Sequence, residues 1–193
     1  MTIKSAFAAA ALALSAVGPA QAVPISYEGT IAAGTPVTGS VTGNGWETET
    51  AAGVDFWRFN GVVGQSFSVR GTRLNPNLDP VLTLYFGTTT ADASQFLHDA
   101  DWGGLVFLRV ADDEVTVASG PGGDPLLSNY LLPFTGLYTI AIGGIGSNGA
   151  GPFNYSMQTT QIAAVPEPET VMLMTTGLGL LLMAQRRRKA RRA

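Results

Sequence analysis

The sequence predicts an all-β chain: one antiparallel β-sandwich or jelly-roll-like domain, flanked by an N-terminal signal helix and a C-terminal transmembrane helix. Three observations predict the sandwich. Apolar and polar residues alternate at period two in many short runs, which puts one row of side chains on each face of a strand. The 24 glycines and 11 prolines supply turns between those runs. No stretch between residues 23 and 164 sustains a 3.6-residue apolar repeat beyond two turns.

Taken in order, the first candidate strands are 25–31 and 37–42. In 55–60, Trp57 and Phe59 face one way, as do Phe67 and Val69 in 66–70. In 81–85, Leu82 and Leu84 oppose Val81, Thr83 and Tyr85. Residues 88–104 break the alternation and read as a short helix or an elaborated loop. Strands resume at 105–110 and 126–132. The clearest alternation is 136–143, where Tyr138, Ile140 and Ile142 interleave with Thr139 and Ala141, and 154–161 closes the set. Many short strands separated by Gly, Pro and Asn turns argue for an antiparallel sandwich or jelly roll.

The two ends are addresses. Residues 1–22 carry one early cation (Lys4), an apolar run, Gly18-Pro19, and then Ala20-Gln21-Ala22. Small residues at Ala20 and Ala22 suit the pocket of a signal peptidase, so cleavage is expected between Ala22 and Val23. At the other end, Val165-Pro166-Glu167-Pro168-Glu169-Thr170 precedes an apolar segment, 171–184, and a basic tail, 185–193. The apolar segment, at 1.5 Å per residue, reaches about 21 Å, so it spans a bilayer only with help from its flanks. The cluster Arg186, Arg187, Arg188, Lys189, Arg191 and Arg192 acts as a stop-transfer signal and stays cytoplasmic, which leaves residues 23–164 as an extracytoplasmic domain. Pro166 and Pro168 forbid helix, so the stretch before the membrane is extended and open to a processing enzyme.

Composition removes whole classes of chemistry. Zero Cys and one His exclude disulfide scaffolds, thiol nucleophiles, Cys/His zinc sites and histidine-based triads. Between residues 23 and 164 four arginines face twelve acids, and an acidic body repels a phosphate backbone, so nucleic acid is not an expected partner.

The tail resembles the PEP-CTERM sorting signal of Gram-negative bacteria in Val165, Pro166, Glu167, Pro168, the short apolar segment and the arginine-rich end. That resemblance covers residues 165–193 and implies recognition by an exosortase, C-terminal processing near the motif, and delivery to the cell surface or extracellular matrix, often beside exopolysaccharide. An uncleaved C-terminal anchor is the competing reading. The body has its own resemblance. Asp55-Phe56-Trp57-Arg58-Phe59, Gly64-Gln65, Leu78-Asp79-Pro80-Val81-Leu82-Thr83-Leu84-Tyr85, Asp112-Asp113 and residues 132–140 follow one another as in the bacterial pre-peptidase C-terminal (PPC-like) β-sandwich, over about residues 54–160. The resemblance implies a non-catalytic accessory module, some versions of which bind calcium or attach to substrates. One departure is the stretch of about 25 residues between Tyr85 and Asp112, longer than a usual hairpin loop.

Candidate chemistry is thin. Asp79, Asp112, Asp113 and Asp124, with Glu114 nearby, are the candidate calcium ligands, because calcium takes six to eight oxygens and loops at a sandwich edge can gather them. The same acids also suit turn capping or plain hydration. Residues 99–104 open like an EF-hand loop, but Val110 stands where the twelfth position needs a bidentate Glu. Residues 144–149 match G-x-G-x-x-G, yet a strand pattern follows where a dinucleotide site needs a helix. Trp46 and Trp102 sit in Gly-rich surroundings and are the candidates for stacking on a polysaccharide. The expected function is an exported, non-enzymatic envelope or matrix protein with no resident cofactor. A calcium- or polysaccharide-binding module is the alternative, and a secreted hydrolase using paired acids comes last.

Overall fold

The computed structural model describes residues 23–48, 51, 53–163, 176 and 178. The expected signal helix with Ala20 and Ala22, the motif at 165–170, nearly all of the apolar segment and the basic tail lie outside the described residues. Among the described residues no helix is long and apolar enough to cross a membrane.

Among the described residues nine strands form: β1 (Tyr27–Thr30), β2 (Val37–Val41), β3 (Asp55–Gly61), β4 (Ser66–Arg73), β5 (Pro80–Phe86), β6 (Val106–Ala111), β7 (Leu126–Leu131), β8 (Gly136–Gly144) and β9 (Phe153–Ala163). Each falls on one of the nine alternating segments. They build two sheets, ordered β1-β3-β8-β5-β6 and β2-β9-β4-β7. The inner faces meet in a core that includes Trp57, Phe59, Phe67, Val69, Leu82, Leu84, Tyr138, Ile140, Tyr155 and Met157. Phe59 stacks between Phe67 (4.3 Å between centroids) and Tyr138 (5.1 Å), joining the sheets through aromatic rings.

One pairing departs from the expected antiparallel pattern. β1 and β3 run parallel. The chain leaves β1 for β2 in the other sheet and then returns, so two reversals restore the original direction.

The five-stranded sheet is buried on both faces. The side chains that alternate away from the main core, Phe56, Val81, Tyr85 and Ala141, pack with Trp46, Phe96, Trp102 and Leu105 into a second core. The cover is the long connection between β5 and β6, whose one turn of 3-10 helix (Ala93–Gln95) is capped by Asp92. Its backbone also satisfies polar groups on that face: Thr83 Oγ1 donates to the His98 carbonyl (2.8 Å) and Tyr85 Oη to that of Leu97 (2.6 Å). Burying those hydroxyls without acceptors would be costly. The cover therefore has both an apolar and a hydrogen-bonding reason to lie where it does.

Candidate metal centre

Three connections meet at one end of the sandwich: β4 to β5, β6 to β7, and β8 to β9. Asp79 stands just before β5, and Asp112 and Asp113 just after β6. Pairing of Leu82 with Ala111 fixes their relation, because the next residues on each strand must then lie side by side. The irregularity in this pairing falls between Leu84 and Tyr85, toward the long connection, and leaves the Leu82–Ala111 pair beside the acids in place.

Carboxylate oxygens of Asp79, Asp112 and Asp113 lie within 4.8 Å of one another. Asp79 is anchored through its backbone, its N–H donating to Ser147 Oγ (2.9 Å) and its carbonyl accepting from Ile145 N–H (2.9 Å). This leaves its carboxylate free to face the other two. Asp113 Oδ1 accepts from the Gly123 N–H. The Oδ1 atoms of Asp79 and Asp112 are buried and lack a hydrogen-bond donor. Gly122, at φ +55°, closes the site from the β6–β7 side; a Cβ there would collide with the Asp79 and Asp113 carboxylates.

The electrostatics follow from the crowding. Burial, followed by the neighbouring Asp113, Asp79 and Glu114 charges, pushes the Asp112 carboxyl up to about 6. Burial and Asp113 also raise Asp79, with Arg73 opposing. Arg73 Nη2 is 3.6 Å from Asp79 Oδ1, beyond hydrogen-bond reach, because the guanidinium is committed elsewhere. Its Nε donates to Asp124 Oδ1 (2.9 Å), Nη1 to the Pro121 carbonyl (2.6 Å), and Nη2 to the Gly123 carbonyl.

The other candidate residues are placed differently. Asp124 is 2% exposed and divides its oxygens between Arg73 and Arg70 (3.2 Å), so it serves as the counter-ion that pins the loop and stands outside the carboxylate trio. Glu114 Oε2 accepts from Leu126 N–H (2.9 Å). Trp46 and Trp102, expected at the surface for sugar stacking, are 2% and 5% exposed and belong to the second core. Flanking glycines bring the backbone close and drive the indoles inward, and a buried ring presents no face to a sugar. Asp101 Oδ1 accepts from Phe107 N–H (2.7 Å) and fixes the start of β6, with no metal loop around it. The 144–149 stretch, which reads as a hairpin loop in sequence, instead carries the chain from β8 in one sheet to β9 in the other, and its Ser147 supports Asp79.

The open groove between edge strands β6 and β7, about 580 Å³, is lined by Arg109, Leu127 and Tyr130 and holds one acid, the hydrogen-bonded Glu114. Carboxylates as close as those of the trio suit shared binding of a cation better than attack on opposite faces of a sugar. Sequence reasoning missed two contributors. Arg73 sits in an ordinary strand, and Gly122 is one glycine among many, so neither carries a local signal.

No protein-family model matches the chain, and no curated protein matches its sequence. Solved structures do match. CorA, a surface-associated copper-binding protein of Methylomicrobium album BG8, is 13% identical over 69% of this chain and 98% of that one, with a TM-score of 0.50. The secreted copper-binding protein MopE of Methylococcus capsulatus is 9% identical over 75% of this chain and 90% of that one, with a TM-score of 0.52. A pre-peptidase C-terminal domain of a Bacillus anthracis collagenase is 13% identical over 70% of this chain and 98% of that one, with a TM-score of 0.42. At such identities the similarity to CorA and MopE is one of fold: this chain shares their architecture.

Proposed function

We propose that the chain is an exported, non-enzymatic β-sandwich protein whose loop end binds a divalent hard cation, calcium being the chemical fit. The observation that carries the reading is the trio Asp79, Asp112 and Asp113 within 4.8 Å, two of whose buried oxygens lack donors. Like charges held this close repel, and a divalent ion bound between them both cancels the repulsion and supplies the missing partner. Remaining coordination falls to water and to backbone carbonyls. The copper described for CorA and MopE is the second reading, and the donor set disfavours it: the trio offers only carboxylate oxygen, whereas copper sites favour imidazole or sulfur.

The address signals complete the proposal. Signal peptidase removes residues 1–22, the 171–184 segment holds the chain in the inner membrane, and an exosortase processes it at Pro166-Glu167-Pro168. The product then resides at the surface or in the matrix, where exopolysaccharide is the proposed neighbour. With Trp46 and Trp102 buried, attachment to sugar would have to use other residues.

Thermal melting of the full chain, stripped with chelator and then titrated with calcium, magnesium or copper(II), tests the site. A ligand bound only to the folded state raises the midpoint. Calcium at millimolar concentration is expected to raise it, and Asp79→Asn with Asp112→Asn to abolish the rise. An unchanged midpoint, or a response to copper alone, overturns the calcium reading. Intact-mass analysis of the mature protein in its own host tests the addresses: a product beginning at Val23 and ending within 166–170 is expected.

A further inference from the structure

At the end of the sandwich opposite the carboxylate trio, the surface changes character. Val62 and Val63 lie in the β3–β4 turn, Leu131 ends β7, Phe134 lies in the β7–β8 connection and Leu137 opens β8 after Gly136; all five are exposed, Leu131 at 64% and Val63 at 57%. The two connections are stitched into one tip. Gly64 N–H donates to the Leu132 carbonyl (2.8 Å), Leu132 N–H to the Gln65 carbonyl (2.9 Å), and Val63 N–H to Thr135 Oγ1 (3.0 Å). Phe134 leans on Phe86 (4.7 Å between centroids), which extends the apolar surface to the end of β5. Residues 61–66 and 131–137 contain no charged side chain. A cluster of this kind at the surface of a soluble domain marks a contact site.

The strand register says what lies opposite it. Ser66 pairs with Leu131 on one side and with Ala163, the last residue of β9, on the other. The chain therefore leaves the domain beside the tip. Seven residues, 164–170, separate that exit from the apolar segment at 171–184, and even fully extended they reach about 25 Å. If the segment is inserted in a bilayer, the tip is confined close to the lipid surface. The acids Asp79, Asp112 and Asp113 then lie at the far end, where an anionic leaflet repels them least.

From this placement we infer that Val62, Val63, Leu131, Phe134 and Leu137 form a lipid-contacting tip that seats the sandwich end-on against the membrane from which its own tail emerges. The inference rests on the proposed membrane insertion of the tail. A few apolar side chains bind lipid weakly on their own, but the short tether makes the encounter intramolecular and keeps the local concentration of membrane high. Cutting the tail at Pro166-Glu167-Pro168 would remove the tether that holds the tip down.

The absence of cysteine allows a direct test. Full-length Val63→Cys, Phe134→Cys and, as a control at the opposite end, Ser119→Cys each take one environment-sensitive fluorophore and are reconstituted in vesicles of phosphatidylcholine with a minority of phosphatidylglycerol. All three positions are exposed, and unchanged melting midpoints establish that each variant folds. Spin-labelled lipid is expected to quench the Val63 and Phe134 probes about twofold or more while leaving Ser119 unquenched. If the chain floats with vesicles but no probe is quenched, the tail is inserted and the tip inference is overturned. If the chain does not float, the tail reading and the tip fall together. A tip probe that shifts to the blue without lipid quenching overturns the inference in favour of protein contact.

Discussion

The Asp112 carboxyl, raised to about 6 by burial and then by its acidic neighbours, ties the cation site to pH. In the unfolded chain it titrates near 3.8. Between those two values the folded state holds a proton that the unfolded state has lost, so this group's stabilisation is full below about pH 4 and is lost as pH rises through 6. Asp79, also raised, acts in the same direction. The difference in melting midpoint between cation-free wild type and Asp112→Asn is therefore expected to widen from pH 4 to pH 6.5, with the variant more stable at neutral pH by a few degrees. Equal midpoints across that range would mean that the trio carries no repulsion. In saturating calcium the order is expected to reverse, because the wild type then gains a ligand the variant cannot hold. Arg73 and Asp124 behave differently, since their side chains are 6% and 2% exposed and already paired. Removing one member of such a pair strands a buried charge, so Arg73→Ala should cost about 3–5 kcal/mol in urea denaturation. A loss below about 1 kcal/mol would place the pair among interactions of surface strength. Asp79 and Asp124 look alike in sequence, each an acid beside proline, and only the fold separates them: one faces two carboxylates and the other an arginine 51 residues away.

Elements were far more legible than contacts between them. A strand declares itself through alternation of its own residues, which is why all nine segments became strands even though several are short. The connection between β5 and β6 does not alternate, because only some of its side chains, among them Phe96, Trp102 and Leu105, reach the sheet while its backbone serves Thr83 and Tyr85. Burial of that kind has no period to read. It also explains Trp46 and Trp102, whose Gly-rich neighbours resemble a surface loop in sequence and in the fold serve to bring the backbone down onto the outer face. The consequence is measurable. Trp102→Ala and Phe96→Ala should each destabilise the domain by about 3–5 kcal/mol through loss of a large buried ring, as read by urea denaturation. An exposed, sugar-stacking Trp102 would instead give almost no change in stability.

For the whole molecule, the sandwich is a polar object with two unlike ends. The strands set the distance between them: β8 has nine residues, which at about 3.3 Å each separates tip from trio by somewhat less than 30 Å. No single local motif announces this polarity. It arises because the β3–β4 and β7–β8 connections at one end are uncharged, while the connections at the other hold Asp79, Asp112, Asp113 and Asp124, and only the strand order reveals which connections share an end. The separation is several Debye lengths at physiological salt, about 8 Å each, and the core between the ends is apolar and rigidly packed. Sites so far apart with no shared partner act additively. Calcium added to the vesicle-bound full chain is therefore expected to raise its melting midpoint without altering quenching of the Phe134 probe, and Asp112→Asn to remove the first effect alone. Calcium-dependent quenching at the tip that survives in Asp112→Asn would trace to ion bridging at the lipid headgroups. Dependence that vanishes in the variant would mean that the two ends are coupled through the sheets, and the additive picture would be wrong.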